Sequence, residues 1–264
     1  MSDATPYLPS SFGCVWHHLP VCESTNDEAR KLAQAASPHG TVVTADAQTR
    51  GRGRQGRSFY SPCGQGLYLS LLLRPDWPVS KAPLLTLGAG LAVYQAAVRA
   101  VFAGSKARLQ LKWPNDLLLD TPHGLRKAAG ILTEAVVSAQ TVQVAIVGVG
   151  VNLTGTDFPP ELSAASLLQL QPDHAAPVSP KQFALLWLDC FADVLRRLGA
   201  QGSGWLIEAF LAAAPAVAPG KRVTVSLGQN PVVGESLGLG ADGALLLRND
   251  RGGLETIHCG ELLV

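Results

Sequence analysis

The sequence predicts an α+β fold in two parts, a larger body of strands and helices followed by a small β-barrel module. Three observations carry this. Strand-length apolar runs crowd the region from about 109 to 153 without a regular helix between each pair, two helical stretches close the larger part, and short strands separated by turn residues fill the chain after Lys221. A Pro/Gly-rich junction, PAVAPG at 215–220, lies between the parts and sets the expected domains at 1–217 and 218–264.

The elements follow in order. Ser24-Thr25-Asn26-Asp27-Glu28 precedes Ala29, Leu32, Ala33 and Ala36, a helix start in which Thr25 and Glu28 stand at capping-box spacing. The β-branched run 41–47 reads as a strand, 50–66 as a polar loop and 66–74 (GLYLSLLLR) as a second strand. A helix is expected over about 82–102. The stretch 82–98 has no charge, but Pro83, Thr86, Gly88, Gly90 and Gln95 interrupt it, and it reads as a buried core helix rather than a membrane span. Strands follow at 109–113 and through Leu119, with a turn at Trp113-Pro114-Asn115-Asp116 between them, and again at 127–137 and 141–153. The last of these is nearly all apolar, as a strand buried on both faces must be. Helices at 180–198 and 205–214 precede the junction, and RVTVSL, VVGESLGLG, GALLLRN and LETIHCG form the terminal module.

Composition excludes several classes. The 264 residues are 47% hydrophobic with 21 basic and 20 acidic side chains, a net charge of +1 that argues against a nucleic-acid binder working through bulk charge. The five cysteines are scattered without a CxxC pair, which fits a reducing compartment, and the six histidines form no metal-ligand pattern. The N-terminal MSDATPYLPSSF has neither the basic nor the apolar region of a signal peptide. The expectation is a cytoplasmic protein with no membrane partner, no nucleic-acid partner and no protein-built metal cluster.

The loop carries the chemistry. Arg50-Gly51-Arg52-Gly53-Arg54-Gln55-Gly56-Arg57 holds four arginines and three glycines in eight residues with no acid among them. Glycines let backbone N–H groups approach a ligand, and guanidinium forks bind phosphate or carboxylate in pairs of hydrogen bonds. Gly51, Gly53 and Gly56 satisfy GxGxxG, and Gly51 with Gly56-Arg57-Ser58 is one substitution from a P-loop, but either motif should open a helix and this segment leads into a strand. A solvated, mobile basic loop is the plainer alternative.

Gln48 with 51–57, Ser61-Pro62 and Gly66-Leu67-Tyr68-Leu69-Ser70 resembles the biotin protein ligase family. Ser24-Thr25-Asn26, Lys112-Trp113-Pro114-Asn115-Asp116, Lys127-Ala128-Ala129-Gly130-Ile131-Leu132 and Gly148-Val149-Gly150-Val151-Asn152 agree in order. The resemblance implies a biotin/lipoate ligase-like catalytic domain, a mixed sheet flanked by helices, and a small SH3-like C-terminal barrel. It also implies an activity in two steps: biotin and ATP, with Mg2+, give biotinyl-adenylate, and a lysine of a biotin carboxyl carrier protein then displaces AMP. A homodimer formed by sheet extension is possible within the family.

The site residues follow from the same resemblance. Ser24, Thr25, Asn26 and Gln48 would bind biotin, together with Arg52, Gly53, Arg54 and Lys127. Gly51, Arg52, Gly53, Arg54, Arg57, Asn115, Lys127 and Asn152 would bind ATP or the adenylate. Lys127, Arg54 and Asp116 would act in catalysis, with Mg2+ arriving on ATP near Asn115 and Asp116. For Ser24 and Thr25 helix capping is the competing role, for Lys127 a surface lysine, for Asn115 and Asp116 a simple turn, and for Gly148 and Gly150 close strand packing.

The sequence departs from the family pattern at Phe59, where tryptophan is common, and at Ala128, where leucine is usual. No tryptophan lies between Thr154 and Leu186, so the adenine contact is left open. Some family members carry an N-terminal helix-turn-helix of about 60 residues; here 23 residues precede Ser24, and the expected form is the one without a DNA-binding repressor domain. The alternatives are a lipoate or octanoate ligase, separated by which acid supports pyrophosphate release, and a non-catalytic binding module.

Overall fold

The computed structural model describes residues 12–13, 15–101, 108–171, 176–228 and 231–263. Residues 1–11 of the N-terminal stretch, Cys14 and the expected end of the helix at 102 lie outside them. In chain order the elements of the larger part are β1 (Trp16–Cys22), α1 (Thr25–Gln34), β2 (Val42–Gln48), β3 (Gly66–Leu73), β4 (Trp77–Pro78), α2 (Ala82–Ala100), β5 (Leu109–Lys112), β6 (Asp116–Thr121), β7 (Gly124–Ser138), β8 (Thr141–Asn152), α3 (Pro180–Gln201) and α4 (Ser203–Ala213). They build one mixed sheet, ordered β1-β2-β3-β8-β7-β6-β5, with β4 paired to β8; β1 runs parallel to β2 and the other pairs are antiparallel.

Strand alternation sorts the apolar residues onto two faces. Val42, Leu71, Leu73, Ala145 and Val147 join α2, α3 and α4 in the main core, whereas Val43, Leu72, Val144 and Ile146 meet Ala29 of α1 in a smaller one. The buried strands β3 and β8 therefore read as nearly unbroken apolar runs because both faces are covered. Helix α2 lies in the main core as expected, with the Trp187 indole of α3 donating to the Ala89 carbonyl at 3.3 Å. No helix among the described residues is long and apolar enough to cross a membrane.

The helix start differs from the sequence expectation. Ser24 is the N-cap residue, neither it nor Thr25 caps a helix N–H through its side chain, and Glu28 pairs instead with Lys31 at 2.7 Å. The Thr25 hydroxyl has another partner, described below. Strand β1 was not anticipated at all: its even mix of His17, His18, Pro20 and apolar residues lacks a clean period-2 pattern, and it exists because β2 offers a free edge.

The expected terminal module is a five-stranded antiparallel sheet, β9 (Arg222–Ser226), β10 (Pro231–Leu239), β11 (Leu245–Asn249), β12 (Leu254–Ile257) and β13 (Glu261–Leu263), ordered β12-β11-β10-β9-β13. Three-residue β13 is too short to be seen in the sequence pattern. The junction is packed rather than loose: Val217 is fully buried and its carbonyl accepts from Ser236 Oγ at 2.7 Å. Val223, Val225, Leu245, Leu247 and Leu262 belong to the same core as α2 and α4, so the apolar interior runs through the junction without a break.

Candidate active site

Helix α1 covers only part of its face of the sheet. Beyond its first turn the floor of a cleft is formed by two rows of cross-strand neighbours, Gly148–Leu132 and Gly150–Gly130–Asp116. Side chains are missing where the cleft is deepest. A Cβ at Gly148 would lie 2.2 Å from Asn26 Oδ1, and one at Gly150 would lie 2.5 Å from the Phe59 ring. A side chain at either position would collide with Asn26 or Phe59, so glycine permits their close approach to the strand.

One wall is the first turn of α1 and its neighbours. The Thr25 hydroxyl and backbone N–H both donate to Gln48 Oε1, at 3.2 and 2.9 Å, and Gln48 Nε2 donates to Ser61 Oγ at 2.8 Å. Ser70 Oγ lies 2.8 Å from Thr25 Oγ1 and 2.6 Å from Asn26 Oδ1. Ser24, Thr25 and Asn26 are buried and all three line the cleft with Gln48. This is a set of neutral donors and acceptors fixed by one another.

The opposite wall holds Lys127 and the Asn115–Asp116 turn. Strand alternation alone would turn Lys127 to the core side with Ala129 and Ile131. A β-bulge re-aims it: Leu117 faces Ala129 while Leu118 faces Lys127, leaving Ala128 as the extra residue. The Lys127 ammonium thereby reaches Asp116 Oδ1 at 2.7 Å. The bulge is fixed from behind, since Lys127 N–H donates to Ser163 O and its carbonyl accepts from Ala165 N–H, at 2.8 and 2.9 Å. Asn152, expected at the adenylate, does not line the cleft; its amide donates to the carbonyls of Lys127 and Ala165 at 3.3 and 3.0 Å and so braces the bulge.

The arginine loop forms the roof and is folded. Gly53 N–H donates to Arg57 O at 2.7 Å and Phe59 N–H to Gly51 O at 2.9 Å, a narrow hairpin with a 3-10 turn over Arg54–Gly56. Gly51 sits at its base, away from the cleft, where a Cβ would lie 2.4 Å from Phe59 O. The acids missing from the loop come from elsewhere: Arg50 pairs with Glu23, Arg52 with Glu134 and Asp27, and Arg57 with Glu261 of β13. Arg54 alone among the four has only neutral bonding partners among the described residues, Asn115 Oδ1 at 3.1 Å and Gly260 O at 3.3 Å. Burial pushes its pKa below the ordinary arginine value, yet the group stays charged at neutral pH. Its charge therefore stands available to a ligand.

The C-terminal sheet completes the cleft with Gly260, Glu261 and Leu262. It also holds the Trp-Pro turn, because the fully buried Trp113 indole, preceding a cis proline, donates to Gly243 O at 3.1 Å. Glu261 and Glu134 are site residues the sequence reading missed, as neither stands in a motif. The cleft encloses about 870 Å³ counting its open mouth. Among the described residues no group of three His, Cys, Asp or Glu side chains is placed to hold a metal ion, and the four described cysteines are free thiols.

The cleft thus combines a glycine floor, a neutral polar wall and cationic side chains of the kind that bind anionic oxygens. The chain belongs to the biotin/lipoate A/B protein ligase family, whose profile matches residues 18–152. It is 35% identical to the bifunctional ligase/repressor BirA of Bacillus spizizenii over 88% of this chain and 69% of that one. It is 36% identical to the biotin--[acetyl-CoA-carboxylase] ligase of Paracoccus denitrificans over 87% of this chain and 92% of that one. The biotin protein ligase of Aquifex aeolicus, solved with biotin and ATP, superposes with a TM-score of 0.73 at 27% identity, covering 95% of this chain and 98% of that one.

Proposed function

We propose that the protein is an ATP-dependent biotin protein ligase that activates biotin as biotinyl-5'-AMP and transfers it to a lysine of a biotin carboxyl carrier protein. The observation that carries the reading is the placement of Arg54, bonded only to neutral oxygens, and Lys127 in one cleft with the Ser24–Asn26 wall.

The amides and hydroxyls of Ser24, Thr25, Asn26 and Gln48 suit a ureido ring, which needs neutral donors and acceptors, and the acid's carboxylate then lies toward Lys127. Carboxylate attack on an α-phosphate brings two anions together. Arg54 and Lys127 cancel that repulsion and hold the charge that develops as the bond to pyrophosphate breaks. Arg52, Gly53 and Arg57 line the same opening and extend the binding surface for phosphate oxygens. Mg2+ would arrive on the triphosphate near Asn115 and Asp116, whose side-chain oxygens here meet Arg54 and Lys127.

In transfer, the carrier amine attacks the acyl carbonyl, the C–O bond to AMP breaks, and the amine loses a proton. At an ordinary pKa near 10.4 only about one lysine in a few thousand is neutral at pH 7, so a neighbouring acceptor accelerates the step. Asp116, released when Lys127 turns to the ligand, is that acceptor. The Asp116→Asn variant should form adenylate yet transfer it slowly; unchanged transfer from preformed adenylate would remove this role.

The direct test is pyrophosphate exchange with Mg-ATP in the presence of biotin, lipoate or octanoate. Exchange with biotin alone, abolished in Lys127→Ala, is expected. Exchange with lipoate or octanoate instead would make the protein a lipoate-type ligase, and exchange with no acid would make it a binding module.

A further inference from the structure

Glu134 stands on β7 two residues beyond Leu132, on the face of the sheet that floors the cleft, but it does not reach the cleft itself. Its carboxylate collects three donors. Arg30 Nη2 donates to Oε1 at 2.7 Å, Arg52 Nη2 to Oε2 at 2.6 Å and Asn26 Nδ2 to Oε2 at 2.7 Å. Asp27 Oδ1 lies 2.7 Å from Arg30 and 3.1 Å from Arg52, so two arginines and two carboxylates alternate around a closed ring. Two of the three donors belong to different parts of the cleft, since Arg52 is in the roof and Asn26 in the wall.

The Asn26 amide is fully committed by this arrangement. Its nitrogen donates to Glu134 and, at 3.3 Å, to Leu132 O, which turns its oxygen toward Ser70. Ser70 has one hydroxyl proton and two acceptors in reach, Asn26 Oδ1 being the nearer. The carboxylate of Glu134 thus ties the roof and the wall into one hydrogen-bonded network.

We propose that Glu134 is a positioning residue that couples the head-group wall to the arginine roof, acting through Asn26 on biotin affinity and through Arg52 on retention of the adenylate. The inference rests on the ligase reading above. Glu134 itself does not line the cleft, so its loss should loosen the bound intermediate more than it slows its formation.

The experiment is a double-mutant cycle of Glu134→Gln and Arg52→Ala, read by single-turnover formation of biotinyl-adenylate, by its loss from the enzyme after formation, and by biotin affinity. Glu134→Gln is expected to speed adenylate loss by about tenfold or more. In the Arg52→Ala background it should add less than about twofold to that loss, since the shared contact is already gone. Biotin affinity should still fall in that background, because the Asn26 arm is intact there. Glu134→Asp, which keeps the charge on a shorter arm, should recover part of the retention and serves if the glutamine variant does not fold. Multiplicative effects on adenylate loss, or no effect of Glu134→Gln on either readout, would overturn the proposal alone. Absence of biotin-dependent exchange in the unmodified protein would instead overturn the ligase reading, and this proposal with it.

Discussion

At Gly148 a single methyl group would strike the Asn26 amide at 2.2 Å, while the backbone there is ordinary strand. Gly148→Ala should therefore displace Asn26 and reduce biotin-dependent exchange by about tenfold or more, with the main core, on the other face of β8, left packed. Steady-state exchange beside a thermal melt distinguishes this from general unfolding. Arg54 invites a chemical test of its fork. Lysine at that position keeps the charge but cannot bond two oxygens in a plane, and Arg54→Lys should lose about 1.5 to 3 kcal/mol of transition-state binding, read as kcat/KM for exchange.

The arginine loop behaves as an element with its own anchors. Its base is tied by Gly51 and Phe59 and by Gln48 to Ser61, and its sides by ion pairs to α1, β7 and β13. The pairs are partly exposed, so each is individually weak, and a ligand bridging Arg54, Lys127 and the roof would hold the loop more firmly. Protease cleavage within 50–57 should slow on adding biotin with ATP; equal cleavage with and without ligand would count against closure. Helix α3 makes a different demand. Trp187 is fully buried and stacks on Phe191 at 5.0 Å between ring centres, and Trp187→Ala should cost about 3 to 5 kcal/mol in denaturant unfolding.

Across the whole molecule the C-terminal sheet is part of the site and part of the core. Because Val225, Leu245 and Leu262 share the interior with α2 and α4, removal of 218–264 would open apolar surface along the junction, and the two parts should unfold in one transition by calorimetry. The contact of β13 with the roof is pH-dependent. The Arg57 hydrogen bond holds the Glu261 carboxyl below its ordinary 4.5, so its contribution is complete above that value and is lost as the pH falls through the depressed one. The difference in melting temperature between the unmodified protein and Glu261→Gln should stay constant from about pH 8 to pH 5 and vanish only in more acid solution.

Much of the larger part was legible from the sequence because its signals are local. Apolar runs marked β3 and β8, helical spacing marked α2, α3 and α4, and Ser24, Thr25, Asn26, Gln48, Arg52, Arg54, Asn115, Asp116 and Lys127 of the motifs line one cleft. What the tertiary structure alone decided depends on long-range geometry. Thr25 and Glu28 stand at capping-box spacing, yet Thr25 turns to Gln48 and Glu28 to Lys31. Strand β1 exists only through the edge of β2, and the bulge at Ala128 that aims Lys127 into the cleft leaves no mark in residue order. Asn152 sits in a motif but braces that bulge, while Glu134 and Glu261 sit in none yet hold the roof. A residue's type limits what it can bond, but its partner is chosen by the folding of distant segments into contact, and that choice is invisible along the chain.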